Sequence, residues 1–528
     1  MTGIKRIAAC AIAATFIGLP LALTASGSSG SPADFPDFIM LNGSEPVLDP
    51  SLLTDVPSMN VAIGLFEGLV QYDPETNLGA PGMAESWSVS PDGLVYTFKL
   101  RQARWSDGRP VTADDFVYAM ERILDPETAA DYAYMPCMVI KGAADFNAGE
   151  GSFEDVGIKA IDNRTLEYRL TGPAPYFVDM TAHNAFWPLP RWAIEKFGDG
   201  WTEPGKIVTN GPYLLDGWKP YDHVDLVKNT RYWDAGSVRL RRIRIMASDD
   251  EGRNYASYLA GEADWMRGVD LPKIDEIAAR PDYQHSALVG TYYYCFNVTK
   301  APVDNVLVRR ALSAAIDRKT LVAEVAKGGQ MPTDSFVPPL PGYVPQAGQG
   351  FDPDEAKSLL AAAGYPDGKG FPGLTVIYNA NAGHKAIAEY IQRQWKDILG
   401  IPVTLRSMNF ERFIDLRSRS HDFTVARHGW IGDYLDANTM LDLFISGGGN
   451  NDACYSNPEY DALIEAAKHA PAAERAAILE KAEALLLSDA VVLPLYHYTD
   501  QNLIDTSRWG GWYPTALGYH PWKYIYRK

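Results

Sequence analysis

Cysteine is scarce in this chain. Its 528 residues hold four, Cys10, Cys137, Cys295 and Cys454, all far apart. That spacing excludes a paired-thiol metal site and a disulfide-stapled scaffold, so the fold must rest on its hydrophobic cores. Without Cys10, which lies in an N-terminal segment of its own kind, the remaining thiols permit at most one disulfide. Positive charge is also in deficit: 48 Lys and Arg face 66 Asp and Glu, a formal net charge of −18. This balance argues against nucleic acid or an anionic membrane as the main partner. No run after residue 25 approaches the ~18 apolar residues that a membrane-crossing helix needs. Catalytic signatures are missing too. The chain has no HExxH and no GxSxG, and Gly447 to Gly449 lacks the lysine of a phosphate loop and reads as a flexible rim. The nine histidines show no ligand spacing on one face, and His421 and His428 fall on opposite parities of a strand. These absences point away from an enzyme and imply no cofactor and no bound metal. No internal repeat, low-complexity tract or long Pro/Gly linker occurs, so the domains are expected to be intimately connected.

What is present begins at the N-terminus. Lys5 and Arg6 precede the apolar run Ile7 to Leu23, which exits through small residues near Ala25. This pattern predicts a cleaved secretory signal peptide over residues 1–25, with cleavage between Ala25 and Ser31, and hence an exported, periplasmic protein. Removing Lys5 and Arg6 takes the net charge from −18 to −20. The roughly 500 residues that remain are too many for one core.

Along the chain, alternating and helical periodicities interleave. Phe38 to Leu41 reads as a strand and Met59 to Leu69 as a helix. Pro91-Asp92-Gly93 predicts a hairpin leading into the strand Val95 to Leu100. Thr112 should cap a helix whose first turn carries Asp114 and Asp115, acids favoured at a helix N-terminus rather than a catalytic pair. Two short strands follow in 155–190 and another hairpin in 206–235. Arg239 to Met246 and His285 to Asn297 read as strands, and Asn305 to Lys319 as an amphipathic helix. Asp354 to Ala363 reads as a helix stopped by Gly364. Leu374 to Tyr378, His384 to Leu399 and Val403 to Ser407 form a strand–helix–strand unit, the mark of a parallel sheet in an α/β fold. Two helices between Tyr455 and Leu487 and a strand Val491 to Tyr498 complete the pattern.

The chemistry concentrates in the stretch from Arg417 to Asn451. His421 to Trp430 reads as a strand in which Arg427 shares a face with Phe423 and Val425. A guanidinium cannot shed its proton, so burial there demands an anion or several acceptors. Gly429, Trp430, Gly432, Asp433 and Tyr434 follow as a glycine-and-aromatic loop with one carboxylate. Two arrangements satisfy these groups: an Arg427–Asp433 ion pair beside a core tryptophan, or separate contacts to a ligand that carries both charges.

The run from Ala84 to Phe116, AESW…S-x-DG-x-x-Y-x-F-x-LR-x-x-x-x-W-x-DG-x-P-x-TA-x-DF, resembles the signature of the extracytoplasmic solute-binding proteins of ABC importers, in their peptide/nickel cluster (family 5). TNGPY from Thr209 to Tyr213, KNTRYWD ending at Asp234, VRRALSAAID, and LLAAAGY from Leu359 to Tyr365 extend the resemblance over essentially the whole chain after the N-terminal segment. Within the cluster it is greatest to the periplasmic oligopeptide binders. The resemblance implies an α/β fold of two hinged lobes around a cleft, with an extra inserted domain. Carried over, lobe I takes 32–66, 191–289 and the tail 499–528, the inserted domain 67–190, and lobe III 290–498.

It also implies a function: capture of short peptides and their delivery to the permease subunits of an inner-membrane ABC transporter, by a monomer. The same scaffold could instead carry murein peptide, dipeptide or a non-peptide solute such as an opine, a sugar or a metal chelate. By resemblance, the segment Arg427-His428-Gly429-Trp430-Ile431-Gly432-Asp433 borders the peptide N-terminus, with Asp433 as the ligand of its ammonium group and Gly429 and Trp430 beside it. Lys300, His384, Arg417 and Arg427 match the cations that take the C-terminal carboxylate at different peptide lengths. Taken alone, Lys300 also fits a surface lysine and His384 an ordinary residue at a helix start. Tyr132, Tyr293, Phe410 and Tyr498 match aromatic pocket positions, with phenylalanine at 410 where the oligopeptide binder has tryptophan. Val56 matches an edge-strand backbone contact. The family's lobe III disulfide falls at Gly290 and Ile431 and is therefore absent.

Overall fold

Two unusually long strands, Tyr283–Phe296 and Val492–Ile504, run antiparallel through the middle of the molecule and organise everything else. The computed structural model describes residues 36–528. The predicted signal peptide lies outside the described residues. The long pair forms the centre of an eleven-stranded sheet. On one side lie Trp265–Arg267, Phe38–Gly43, Arg242–Ala247, His223–Lys228 and Tyr213–Lys219; on the other lie Val425–Ile431, Leu374–Asn379 and Val403–Met408; the eleventh, Met331–Pro332, pairs off this path with Val492–Ile504. Pairing along the two long strands is not continuous. Tyr283 to Ala287 match Leu503 to Thr499, the register then breaks, and Thr291 to Cys295 match His497 to Val492 with a one-residue shift between Tyr292 and Tyr293. At the break the Val289 amide donates to the Ala516 carbonyl and its own carbonyl accepts from Gly432.

Beyond the break the strands are buried on both faces, so successive side chains enter different cores. Tyr292, Tyr294, Val376, Val425 and Leu493 pack under helices Val306–Ala314, Pro353–Ala362 and Ala382–Leu399. Tyr293, Cys295, Ile377, Ala426 and Val492 face the opposite core with Ile464 and Leu479 of helices Pro458–His469 and Ala472–Ser488. The strand–helix–strand unit is as expected: Leu374–Asn379 and Val403–Met408 are parallel neighbours bridged by Ala382–Leu399. A separate four-stranded antiparallel sheet joins Ala84–Val89, Val95–Leu100, Thr165–Arg169 and Ile158–Asp162. Beside it runs helix Ala113–Leu124, opened by a Thr112/Asp115 capping box. Asp115 also accepts from the Trp105 indole at 3.0 Å, so the Asp114–Asp115 pair serves the helix start.

Three expectations need correction. Residues 421–424 are not strand: His421 has φ +49°, and pairing begins only at Val425. Phe423 therefore joins the core of Ala426, while Val425 and Arg427 point to the other side. The helix expected over 305–319 divides, because Asp317 caps a second short helix, Arg318–Leu321, by accepting from Thr320 N. The last strand continues six residues past Tyr498. Its polar end is buried in pairs: Asn502 accepts from the Trp265 indole at 2.9 Å, and Asp500 meets Arg267 at 3.2 Å and His520 at 3.1 Å.

All three described cysteines are free thiols. Gly290 and Ile431 face each other directly across neighbouring strands, where a Cβ on residue 290 would lie 2.7 Å from the Trp430 carbonyl.

The Asp500 cluster ties the tail, the long strand and helix Val56–Leu65 together, since Arg267 also donates to Asn60 at 3.0 Å. Burial opposes the charge on Asp500, but Arg267 and His520 hold its carboxyl well below the usual range. Its contribution is thus present above the ordinary carboxylate pKa and is lost on acidification through the depressed value. Asp500→Ala leaves a buried guanidinium unpaired and is expected to cost about 3–5 kcal/mol in urea unfolding at pH 7. A change below 1 kcal/mol would show the cluster to be energetically idle.

Candidate functional site

A cavity of about 320 Å³ opens where several parts of the chain converge. Leu53 to Val56, Met59, Tyr132, His183, Asn184, the stretch Gly429 to Asp433, Arg427, Tyr498, Leu517 and Tyr519 line it. One wall is the strand Val425–Ile431. Its far edge bonds along its whole length to the long strand, from Phe296 opposite Val425 to Gly290 opposite Ile431. The near edge pairs with Leu374–Asn379 only at Val425 and Ala426. From Arg427 to Ile431 that edge has no strand partner among the described residues and borders the cavity.

Arg427 is half-buried, with its Nε shut off from solvent, and makes no ion pair among the described residues. Its Nη2 donates to the Tyr498 hydroxyl at 3.3 Å, its guanidinium lies 5.0 Å from the Tyr292 ring centroid, and its Nε has no partner. Burial disfavours its charge, yet the surrounding tyrosine oxygens, Tyr498 first, hold it protonated. Asp433 sits in the same cavity with the opposite problem. Only 3 % exposed, it accepts hydrogen bonds from Tyr134 at 2.7 Å and Tyr132 at 3.1 Å. The nearest ring nitrogen, His183 Nε2 at 3.8 Å, belongs to an imidazole that burial pushes down to about 3 and thus keeps neutral. Desolvation raises the Asp433 carboxyl to about 6, only partly offset by the two tyrosines. The loop is held firmly: Asp433 N donates to Thr439 Oγ1 at 3.0 Å and Tyr72 donates to the Asp433 carbonyl at 3.1 Å. An internal Arg427–Asp433 pair does not form.

Of the residues expected at the site, Asp433, Arg427, Gly429, Trp430, Tyr132, Tyr498 and Val56 line this cavity. Val56 does so as the first residue of a helix, not from an edge strand, because Asp55 caps that helix through Ser58 N and Pro57 suits its first turn. Gly429 is required by close approach: a Cβ there would collide with the Tyr498 hydroxyl. The other five lie outside the lining. Arg417 pairs with Asp452 at 2.8 Å, and His428 donates to the same carboxylate at 2.9 Å. Burial would raise Asp452, but these two partners lower it. His384 is bound to the Tyr292 hydroxyl at 3.1 Å, and burial pushes it down to about 2. Tyr293 is buried against the His428 ring, with centroids 4.7 Å apart. Lys300 is exposed, and Phe410 is 61 % exposed at the start of helix Phe410–Ile414.

Sequence reasoning missed Tyr134, His183 and Tyr72. The Tyr132/Tyr134 spacing was the available signal, since these rings fold into one turn with centroids 5.7 Å apart. Among the described residues, no group of three or more His, Cys, Asp or Glu is arranged to hold a metal ion. No helix among them is long and apolar enough to cross a membrane.

An unpaired buried carboxylate should destabilise the empty protein. The folded pKa of about 6 lies above the ordinary 3.8, so the folded state holds its proton longer and stability falls as pH rises between them. Asp433→Asn removes that penalty. It is expected to be more stable than the parent by about 3 kcal/mol at pH 7.5, with the difference vanishing near pH 4. Paired melts across this range would refute the reading if the gap did not depend on pH.

Comparison with known proteins gives a consistent picture. Residues 80–452 match the family profile "Bacterial extracellular solute-binding proteins, family 5 Middle". The periplasmic oligopeptide-binding protein OppA of Salmonella typhimurium is 36% identical over 540 residues, covering 99% of this chain and 98% of that one. The crystal structure of a Borrelia burgdorferi periplasmic oligopeptide-binding protein superposes with a TM-score of 0.87 at 37% identity, over 93% of this chain and 99% of that one. Haemophilus influenzae OppA in complex with RPPGFSPFR gives 0.84 at 33% identity, over 93% and 98%. The fold is accordingly that of two-lobed periplasmic binding proteins. The chain belongs to the family 5 bacterial extracellular solute-binding proteins.

Proposed function

We propose that this protein captures short peptides in the cavity and delivers them to the permease subunits of an ABC transporter. The observation that carries this reading is the strand edge from Arg427 to Ile431, which has no strand partner among the described residues, flanked by a half-buried guanidinium with no anion among them and a buried carboxylate with no cation among them. A peptide supplies all three complements: backbone groups for the edge, a carboxylate and an ammonium. Backbone and termini are common to every peptide, so the arrangement gives affinity without reading side chains. Asp433 takes the ammonium group. Arg427 is the cation best placed for the carboxylate, because Arg417 is committed to Asp452 and His384 is neutral. Asp433 lies six positions after Arg427, at most about 20 Å of backbone, so the span suits peptides of about three to five residues.

The lobe boundaries belong to the same proposal. Residues 32–66, 191–289 and 499–528 form one lobe, 290–498 the other, and 67–190 the insert; the register break beside Val289 supports the hinge. Tyr132 and Tyr134 reach Asp433 across the cleft, and closure around the ligand presents a docking face to the transporter. The protein acts in the periplasm as a monomer, exported through the signal peptide of residues 1–25, and its role is carriage rather than catalysis.

Calorimetry with trialanine and N-acetyl-trialanine tests the reading. Asp433→Ala is expected to weaken the free peptide by two to three orders of magnitude, in line with about 3–5 kcal/mol for a buried charge left alone, and the acetylated one far less. Equal losses would make Asp433 structural. A second test uses pH. The ammonium needs an ionised Asp433, whose carboxyl sits near 6 in the empty site. Affinity for trialanine should therefore fall about tenfold from pH 7.5 to pH 5, while the acetylated peptide stays flat. Absence of heat with any tri- to pentapeptide overturns the peptide reading and leaves other solutes on this scaffold.

A further inference from the structure

Apart from the peptide cavity, the acidic chain gathers four arginines around one concave surface. Arg101, Arg104, Arg164 and Arg231 line a cleft of about 570 Å³, with Asn163 and Trp233 among its walls. The cleft shares no lining residue with the peptide cavity and has no carboxylate in its lining. In a protein of net charge −18 that concentration is unexpected.

The guanidiniums are positioned but not neutralised. Arg101 donates to the Gly82 carbonyl and lies 3.6 Å from the Trp233 ring centroid. Arg104 donates to the Gly108 carbonyl at 2.8 Å and Arg231 to the Ser106 carbonyl. These acceptors are neutral backbone oxygens. Only Arg164 meets an acid, Glu85 at 3.7 Å, and that pair is exposed to solvent on both sides. Nearby acids are engaged by other groups than the four guanidiniums: Asp107 accepts from the Trp192 indole, Asp162 from Thr165 and the Arg164 amide, and Glu67 from Tyr232 and the Trp233 indole. Each guanidinium keeps free N–H donors on a planar fork that matches phosphate oxygens.

We propose that this cleft is a second binding site, for a phosphate group carrying two or more negative charges. A single carboxylate would leave most of the positive charge unmatched. Pyrophosphate is the probe, titrated by calorimetry into the full mature protein at low ionic strength. The parent is expected to bind it saturably, more weakly as salt rises. The exposed pair changed together, R104Q with R231Q, should lose at least tenfold in affinity while keeping its melting temperature and its response to trialanine. Vesicles containing phosphatidic acid, whose phosphomonoester can carry two charges, separate the sources: co-sedimentation that the double variant loses, together with pyrophosphate binding, assigns the site to a lipid headgroup. Pyrophosphate binding alone assigns it to a soluble phosphate compound. No saturable heat with pyrophosphate, undiminished binding by the double variant, or vesicle association without pyrophosphate binding each overturns the proposal.

Discussion

The cost of leaving charge buried and unmatched governs the heart of this molecule. Arg427 cannot lose its proton, and Asp433 holds its own only by a raised affinity for it. Neither finds its counter-charge among the described residues, although they stand only six positions apart in sequence. Elsewhere the same chain satisfies buried ions with care: Asp500 has Arg267 and His520, Asp452 has Arg417 and His428, and Arg475 has Asp436. Other buried groups without a counter-charge are held by hydrogen bonds instead: Glu483 accepts from the Phe336 and Val337 amides, and Arg318 donates to the Pro494 carbonyl. At the cavity two opposite charges share one space and still do not pair. Stability given up there becomes affinity for whatever brings the missing charges.

Rigidity is the second requirement, because a loose carboxylate would turn toward water and recover its hydration. Tyr72 and Thr439 fix the Asp433 backbone, two tyrosine hydroxyls fix its oxygens, and the strand carrying Arg427 bonds along its far edge. The near edge is left open by the short overlap with Leu374–Asn379. Charge, edge and cavity arise from a single length of backbone, and small shifts in that strand would alter all three.

Much of the fold was legible in the sequence, for identifiable reasons. The strand–helix–strand unit over 374–408 shows clean periodicities, and the hairpin at Pro91 to Gly93 carries its own turn chemistry. Errors came where tertiary partners override local pattern. The strand expected to end at Tyr498 runs on through the polar Thr499 to Asn502, because Arg267, His520 and Trp265 satisfy that stretch as it is buried. Phe423 and Val425 look like one face until the positive φ of His421 delays the strand. At the site, Asp433, Arg427 and the aromatic loop were visible as residue types in one stretch. Commitments made through space were not: nothing near Arg417 in sequence discloses Asp452, nor does His384 announce Tyr292. Tyr134 escaped notice because its value depends on a carboxylate 299 positions away.

The interrupted register of the two long strands has a mechanical meaning. Hydrogen-bonded ladders on either side behave as stiff plates, while the few residues between them, beside Val289, are joined by covalent backbone and by bonds to Ala516 and Gly432. Bending there changes a few torsions and leaves both ladders intact. Each plate then acts as a lever whose fulcrum lies beside the cavity, so a small angle at the fulcrum becomes a wide displacement at the outer rims. The same geometry keeps the motion smallest beside Arg427 and Asp433, the two groups that the proposed function assigns to the ligand's charges.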